Sequence, residues 1–136
     1  MQGAALKEYR NPAGTALSAA LCENALALAI EPFRNIAREY GYTLAVHGSL
    51  ARDIDMVAVP WTEQAADPER LLTDLRGAAV GIFGRARFDP TEGWTEKPHG
   101  RIARSIHVYC EGHFFYFDIS VMPRLPKPPK KKRGKK

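Results

Sequence analysis

The sequence predicts a single domain of the α/β (α+β) class, in which helices pack against one mixed β-sheet. The chain of 136 residues is long enough for one compact domain and too short for two ordinary ones. Its content of 45% hydrophobic and 26% charged residues is typical of a globular protein. Patterns for a helix, two strands, a helix, a short strand and a hairpin follow one another, and this order predicts the fold class.

The first helix is predicted over residues 16–40, where apolar residues recur with roughly helical spacing. Thr15 or Ser18 is suited to cap its start, and Gly41 lies where a glycine commonly ends a helix. Pro32 inside this span leaves two alternatives open, a kink or the first turn of a second helix.

The later elements are predicted from the alternation of apolar and polar residues and from the turn residues between them. In chain order they are strands at 42–47 and 53–59, a helix from Asp67 to Gly81, a short strand at 83–88, a loop at 89–100, and strands at 101–109 and 114–121 joined by a hairpin turn at 110–113.

Composition divides the chain into a flexible N-terminal arm at residues 1–15, a folded domain at 16–124 and a disordered polybasic tail at 125–136. The tail holds seven of the 20 Lys and Arg residues and no acid, which leaves 13 basic against 15 acidic residues, about −2, elsewhere. Because the tail has no core-forming residue after Leu125, it cannot offset the entropy of ordering. The basic character of the protein therefore belongs to the tail.

Several classes of protein are disfavoured. No run of eighteen apolar residues predicts a membrane span, and the first nine residues do not resemble a secretory signal. Cys22 and Cys110 lie far apart without metal-type spacing, so two reduced thiols are expected. His107 and His113 lack a zinc-type ligand spacing. We therefore expect a cytoplasmic protein that makes no use of a membrane.

The segment that carries chemistry runs from Val46 to Trp61. Gly48 and Ser49 directly follow a strand, and a turn of this type offers backbone N–H groups and a hydroxyl to a phosphate. Asp53 and Asp55 are two residues apart on the next strand, so their carboxylates point to the same face.

Asp118 supplies a third acid, in the middle of a strand of aromatic and aliphatic residues where an isolated carboxylate is costly. In a sheet it would lie beside Asp53 and Asp55 and complete a site for two Mg²⁺ or Mn²⁺ ions. The reaction predicted for such a site is in-line attack on the α-phosphate of a nucleoside triphosphate (NTP).

These motifs resemble those of the polymerase-beta-like nucleotidyltransferase superfamily, and more narrowly those of small nucleotidyltransferase-like proteins of bacteriophages and prophages. The resemblance rests on HGSLARDIDMVAVPW at residues 47–61, KPHGR at 97–101 and DISVMP at 118–123. It covers most of residues 16–124 and implies a minimal nucleotidyltransferase fold, in the cytoplasm of a bacterium or of a phage-infected host cell.

The resemblance also implies roles for individual residues. Ser49 would contact the β- and γ-phosphates of ATP or another NTP, Asp53 and Asp55 would bind both metal ions, and Asp118 would bind the catalytic one. The acceptor of the nucleoside monophosphate is a protein, a nucleotide or an RNA end, as in antitoxin-type members that modify a partner protein.

Other candidates carry an alternative. Arg52 is suited to neutralise a phosphate, and the alternative is an exposed arginine without a role. The loop residues Lys97, His99 and Arg101 are suited to bind a phosphate or the acceptor, and the alternative is a solvated loop. His47 supports the turn or fills the end of its strand. Trp61 and Trp94 are expected to pack at the core or rim rather than to stack on a base.

Two functions from different classes remain open at this point. The three acids favour a nucleotidyltransferase. The alternative is a non-catalytic module of the same shape that binds nucleic acid or a phage or host protein, and it is favoured by the short spacing of three residues between Ser49 and Asp53. The polybasic tail would add a weak, nonspecific attraction to nucleic acid.

Overall fold

The computed structural model describes residues 11–126, which contain two α-helices and six strands of one mixed sheet. The predicted α+β fold class is therefore confirmed. The elements are α1 (Pro12–Glu39), β1 (Tyr42–His47), β2 (Ile54–Pro60), α2 (Pro68–Phe83), β3 (Arg85–Phe88), β4 (Thr95–Glu96), β5 (Ile102–Cys110) and β6 (His113–Val121).

The sheet has the strand order β1-β2-β6-β5-β3, and the two-residue strand β4 also pairs with β5. The central strands β2 and β6 run parallel, whereas the β1–β2, β5–β6 and β3–β5 pairs are antiparallel. The parallel pair requires a long crossover, and α2 with the strands that follow it provides one.

The two helices cover one face of this sheet and bury its apolar side chains. α1 contacts β1 and β2, and α2 contacts β3 and β5. Alternate residues of the central strands, such as Met56 on β2 and Phe117 on β6, are fully buried with Phe33 of α1 and Leu75 of α2. The residues between them point to the opposite face, which we call the open face.

α1 is one continuous helix that starts four residues earlier than the sequence pattern indicated. Asn11, not Thr15 or Ser18, caps it, and its side chain accepts a hydrogen bond from the Gly14 N–H at 2.6 Å. Pro12 is well placed at the first turn because an N–H is not needed there. Pro32 lies within the helix and does not divide it.

The end of α1 agrees with the predicted glycine stop, since Gly41 adopts a φ of +84°. α1 is also long and apolar enough to cross a membrane by length and composition, with a mean hydropathy of 1.4 over its 18-residue window. Alanines and one phenylalanine of the same helix are buried in the core. A single helix of this kind does not distinguish a membrane span from a core helix.

The loop between β3 and β5 is held against α2. Glu69, in the first turn of α2, accepts a hydrogen bond from the Trp94 indole at 2.8 Å and forms an ion pair with Arg104 at 3.1 Å. The Arg104 guanidinium also lies 3.8 Å from the centre of the Phe88 ring. These contacts fix the loop that contains Lys97 beside the sheet.

The observed elements change the predicted boundary of the N-terminal arm. Residues 12–15 belong to α1 rather than to the predicted flexible arm, because the Asn11 cap starts the helix there. Residues 1–10 of the arm and residues 127–136 of the polybasic tail lie outside the described part of the chain. Cys22 is buried and Cys110 is half-buried, and both are free thiols, as predicted.

Gly41 should be far less tolerant of a side chain than Gly77 in α2. A Cβ on Gly41 would lie 2.4 Å from Thr62 Cγ2 and 3.0 Å from the Ala65 Cα, whereas nothing lies within 4 Å of one on Gly77. We expect Gly41→Ala to lower the free energy of unfolding by about 2 kcal/mol or more. Gly77→Ala should raise it by about 0.5–1 kcal/mol, because alanine is the better helix former.

Urea denaturation of both variants beside the wild type checks this pair. Equal stability of Gly41→Ala and the wild type would contradict the close packing of the α1 end against residues 62–65.

Candidate metal centre

Three aspartates meet where the central strands β2 and β6 lie side by side. Asp55 on β2 is the direct neighbour of Asp118 on β6 in the parallel register. Asp53 precedes β2 by one residue and reaches the same place. One carboxylate oxygen from each residue lies within 4.8 Å of the other two, and all three side chains are half-buried. The proximity predicted from the sequence is therefore observed, and the role of these acids as metal ligands stays a prediction.

The turn after β1 brings the backbone directly against one of these acids. Gly48 adopts a φ of +80°, and a Cβ at this position would lie 2.6 Å from Asp55 Oδ2. Only glycine permits this approach without displacing the carboxylate. Ser49 Oγ accepts a hydrogen bond from the Ala51 N–H at 3.3 Å, and Leu50 has a φ of +59°. The three residues between Ser49 and Asp53 therefore form a compact turn beside the acids.

Mutual repulsion and burial dominate the electrostatics of this cluster. Burial raises the pKa of Asp55, and the negative charges of Asp53 and Asp118 raise it further. Burial also raises the pKa of Asp118, followed by the charge of Asp53. Since both shifts disfavour the charged form, a positive ion in the cluster would relieve a real electrostatic cost.

Three basic side chains act in the opposite direction on Asp118. The charges of Lys97, His47 and Arg101 lower its pKa, so these residues lie close enough to compensate part of the repulsion. His47 is also the register partner of Asp55 across β1 and β2, and its side chain is exposed on the open face. Of the two alternatives for His47, the structure therefore supports a position beside the turn.

The candidates from the sequence are not equally close to the acids. Arg52 is exposed, and its positive charge lowers the pKa of Tyr116, which lies next to the cluster. The charges of Lys97 and Arg101 lower the pKa of Asp118. His99, by contrast, is an exposed residue of the short 3-10 turn Pro98–Gly100. For His99 the structure thus shows no contact that connects it to the acids.

The sequence patterns did not single out two neighbours of the cluster, Ser105 and Tyr116. Ser105 is the register partner of Asp118 on β5. Tyr116 lies two residues before Asp118 on the same face, and burial, followed by the charges of Asp53, Asp118 and Asp55, raises the pKa of its phenol. The two-residue alternation along β6 was the signal that would have identified Tyr116.

A small polar hollow opens beside Asp118. Its volume is about 70 Å³, and its lining includes Asp89, Lys97 and Ser105. This volume suits a few water molecules and is too small for a nucleobase. Asp118 is therefore reached by water, and a larger ligand would have to lie over the open face.

The two tryptophans, Trp61 and Trp94, differ in their burial. Trp94 packs against the core, as the sequence predicted, and its indole N–H donates a hydrogen bond to Glu69. Trp61 is 60% exposed, so packing at the core is wrong for this residue. It follows the end of β2 opposite to Asp55, about 20 Å along the strand. Trp61 is therefore too far from the cluster to stack on a nucleotide held there.

Comparison with known proteins does not identify a family. No family model matches the sequence, and a search of the curated proteins found no significant match. The function is therefore argued from the site itself.

The donor set fits a hard divalent cation. Mg²⁺ and Mn²⁺ prefer carboxylate oxygens and keep open positions for water or phosphate. Within residues 11–126, the one group of three or more His, Cys, Asp or Glu side chains whose ligand atoms lie close enough to share a metal ion is formed by the three aspartates. This group includes neither His107 nor His113. An all-carboxylate donor set matches the ligand preference of magnesium and manganese better than that of zinc.

The raised pKa values predict how stability depends on pH without metal. A carboxyl group whose pKa is higher in the folded state stabilises the fold below its unfolded pKa of about 4. This contribution is lost as the pH rises through the folded pKa. We therefore expect Asp55→Asn and Asp118→Asn to raise the melting temperature by a few degrees at pH 7 in EDTA, with the gain shrinking towards pH 4.

Thermal melts at both pH values check this, with Asp74→Asn as control. Asp74 is exposed on α2, and asparagine retains the hydrogen bond that its side chain accepts from Tyr40. A similar gain in the control, or a gain at pH 4 as large as at pH 7, would contradict the repulsion argument.

Proposed function

We propose that the protein is a metal-dependent nucleotidyltransferase that transfers a nucleoside monophosphate from an NTP to an acceptor hydroxyl. The observation that carries the proposal is the convergence of Asp55 and Asp118 on neighbouring strands with Asp53 just before β2, with ligand oxygens within 4.8 Å and a glycine turn beside them. The resemblance of the motifs at residues 47–61, 97–101 and 118–123 to polymerase-beta-like nucleotidyltransferases supports it.

In this proposal the three aspartates hold one or two Mg²⁺ or Mn²⁺ ions. Such ions neutralise the phosphates of an NTP and lower the pKa of an attacking hydroxyl. The negative cluster by itself would repel a triphosphate, so nucleotide binding should require the metal. Donor binding and metal binding are therefore expected to be coupled.

The turn and the basic residues around the acids would orient the triphosphate. Gly48 lets the backbone approach closely, and Ser49 contributes a hydroxyl beside it. Arg52 supplies positive charge near Tyr116, and Lys97 and Arg101 supply it near Asp118. His99 is the weakest of the phosphate-binding candidates, because it is exposed and lacks a contact to the acids.

The reaction balances without another cofactor. The acceptor oxygen forms a bond to the α-phosphorus, and the bond between the α-phosphorus and the oxygen that bridges it to the β-phosphorus breaks. Pyrophosphate leaves, and the proton of the acceptor hydroxyl passes to water. The chain contributes alignment and charge compensation rather than a covalent intermediate.

Metal-dependent nucleotide binding is the first property to test. At about a hundred times its dissociation constant, an NTP with Mg²⁺ or Mn²⁺ should stabilise the fold by roughly 2.7 kcal/mol. For this size of domain, that corresponds to a rise in melting temperature on the order of 10 °C. Asp53→Asn/Asp55→Asn should abolish the rise, and the Asp74→Asn control should retain it.

A wild-type protein that folds normally but shows no shift with any NTP and either metal ion would overturn the proposal. The non-catalytic module of the same shape would then be the better account of the three acids.

Gly48→Ala separates the fit of the turn from the charge of the cluster. Its Cβ would displace Asp55 Oδ2, so we expect loss of the metal-dependent rise produced by NTP. Gly84→Ala is the matched control, because Gly84 also has a positive φ, +100°, but nothing lies within 4 Å of its Cβ position. The control should lose stability yet keep the full shift with metal and NTP.

A shift in Gly48→Ala equal to that of the wild type would show that the close approach of the turn to Asp55 is not needed for nucleotide binding.

A further inference from the structure

A second feature of the open face lies beyond the acids, towards the hairpin that joins β5 and β6. Four aromatic side chains form a continuous patch there, which we call the aromatic strip: His107, Tyr109, Phe114 and Tyr116. Neighbouring rings of the strip lie 5.1–6.2 Å apart between centroids. The proposed transfer reaction does not require this strip.

The register of the sheet arranges the strip in two rows that end at arginines. Arg85 on β3 pairs with Tyr109 on β5, which pairs with Phe114 on β6. The next row on the same face consists of Arg87, His107 and Tyr116. Since they are two residues apart along each strand, the rows are about 7 Å apart.

The following row on the open face contains Asp118 and its partner Asp55. The strip therefore leads directly from the β3 edge to the acidic cluster.

The row of the strip nearest the hairpin is accessible, unlike the aromatic residues on the helix-covered face, whereas His107 and Tyr116 in the second row are half-buried. Phe114 is 48% exposed and Tyr109 is 38% exposed, whereas Phe115 and Phe117 beside them are buried.

Two hollows of about 520 and 300 Å³ lie at the β3 edge and the hairpin end of the strip, and Arg85 and Tyr109 line both. The first also reaches Val80 and Gly84 at the end of α2, and the second also reaches Glu111 in the hairpin turn. A cross-strand aromatic pair needs no such hollows to stabilise a hairpin.

Charge identifies the kind of partner. Arg85 and Arg87 are exposed at the edge of the sheet, and the Arg87 guanidinium lies 5.7 Å from the centre of the Tyr109 ring. Exposed aromatic rings beside arginines suit bases joined by phosphates, because every base has a face that stacks and every linkage has a negative charge. Sheet surfaces with aromatic side chains bind single strands in this way and stack two or three bases.

We propose that the aromatic strip binds a single-stranded nucleic acid. Bases stack on Tyr109 and Phe114 and, in the second row, on Tyr116, and phosphates lie along Arg85 and Arg87 at the β3 edge. A duplex does not fit this arrangement, because its bases are paired and cannot lie on the sheet. The acidic cluster repels phosphate, which places the backbone of the strand on the arginine side.

A consequence for the acceptor rests on the proposed function. A strand on the strip has one end beside Asp118, so its terminal hydroxyl would be the acceptor for the nucleoside monophosphate. Binding to the strip itself requires neither metal nor NTP, so the two proposals fail separately.

The test is the affinity of the full chain for a fluorescently labelled 12-nucleotide single strand, measured by anisotropy in EDTA without NTP. Tyr109→Thr/Phe114→Thr should weaken binding about 10-fold or more, because stacking is lost while threonine retains strand propensity. The salt dependence of binding by this variant should equal that of the wild type, because no charge has been removed.

Arg85→Gln/Arg87→Gln, at exposed positions that leave the rings in place, should also weaken binding and reduce the salt slope by about 1.4, the value for two contacts to a single strand. Arg34→Gln/Arg38→Gln on α1 is the charge-matched control on the helix side of the sheet, and it should bind like the wild type. Melting temperatures establish that each variant is folded.

Equal affinity in the wild type and in a folded strip variant would overturn the proposal, since binding would then come from elsewhere, such as the polybasic residues at 127–136. An equal loss in the α1 control would overturn it as well, because only total charge would matter. If the wild type is a dimer that Tyr109→Thr/Phe114→Thr converts to a monomer without an effect on nucleic acid binding, the strip is a contact between copies of the chain.

Retained strand binding with no stabilisation by metal and NTP would reject the nucleotidyltransferase and leave the strip proposal intact. Stabilisation by metal and NTP in a protein whose strip variants bind single strands like the wild type would reject the strip proposal and leave the proposed nucleotidyltransferase intact.

Discussion

The parallel pairing of β2 with β6 is the constraint on which the rest of the molecule depends. It places Asp55 next to Asp118 on the open face and, one residue later, Met56 next to Ile119 in the core. A slip of one residue in one of the two strands would put its carboxylate in the apolar layer and its core residues in water. Burial of one face therefore enforces the geometry of the acids on the other.

This arrangement makes the sheet a boundary between two environments. On one side, α1 and α2 cover a dry layer of aliphatic and aromatic residues. On the other, half-buried carboxylates lie close together and repel one another. The hydrophobic layer stabilises a fold that the acidic cluster by itself would destabilise, and a bound cation would offset that cost. A site of this kind costs stability when empty and gains it when occupied.

The open face also changes its chemistry along its length. The Gly48 turn and the acids lie where β2 begins, whereas aromatic residues and arginines extend from the half-buried Tyr116 to the exposed Phe114 and Tyr109 at the β5–β6 hairpin. The acids suit a metal with a triphosphate, and the aromatic end suits stacked bases. The two proposals share one surface because β6 carries Phe114, Tyr116 and Asp118 at every second position.

The sequence by itself determined the two helices, the five longer strands and all three members of the acidic cluster, but not the two-residue strand β4. Period-two alternation identified β2 and β6, and the carboxylates within those apolar runs indicated chemistry, because buried strands rarely keep a lone acid. Local rules were less reliable at the start of α1, where Asn11 competed with Thr15 and Ser18 as the cap. Pro32 suggested a break that the packing of α1 on the sheet does not require.

Only the tertiary structure decided which distant residues meet. Asp55 and Asp118 are separated by more than sixty residues, and their contact follows from strand order, which no local pattern encodes. The same holds for His47, Lys97 and Arg101 around the cluster, for the exposure of Trp61 and for the rows of the aromatic strip. Periodicity reports the face of a strand on which a side chain lies, whereas strand pairing decides which side chains share that face.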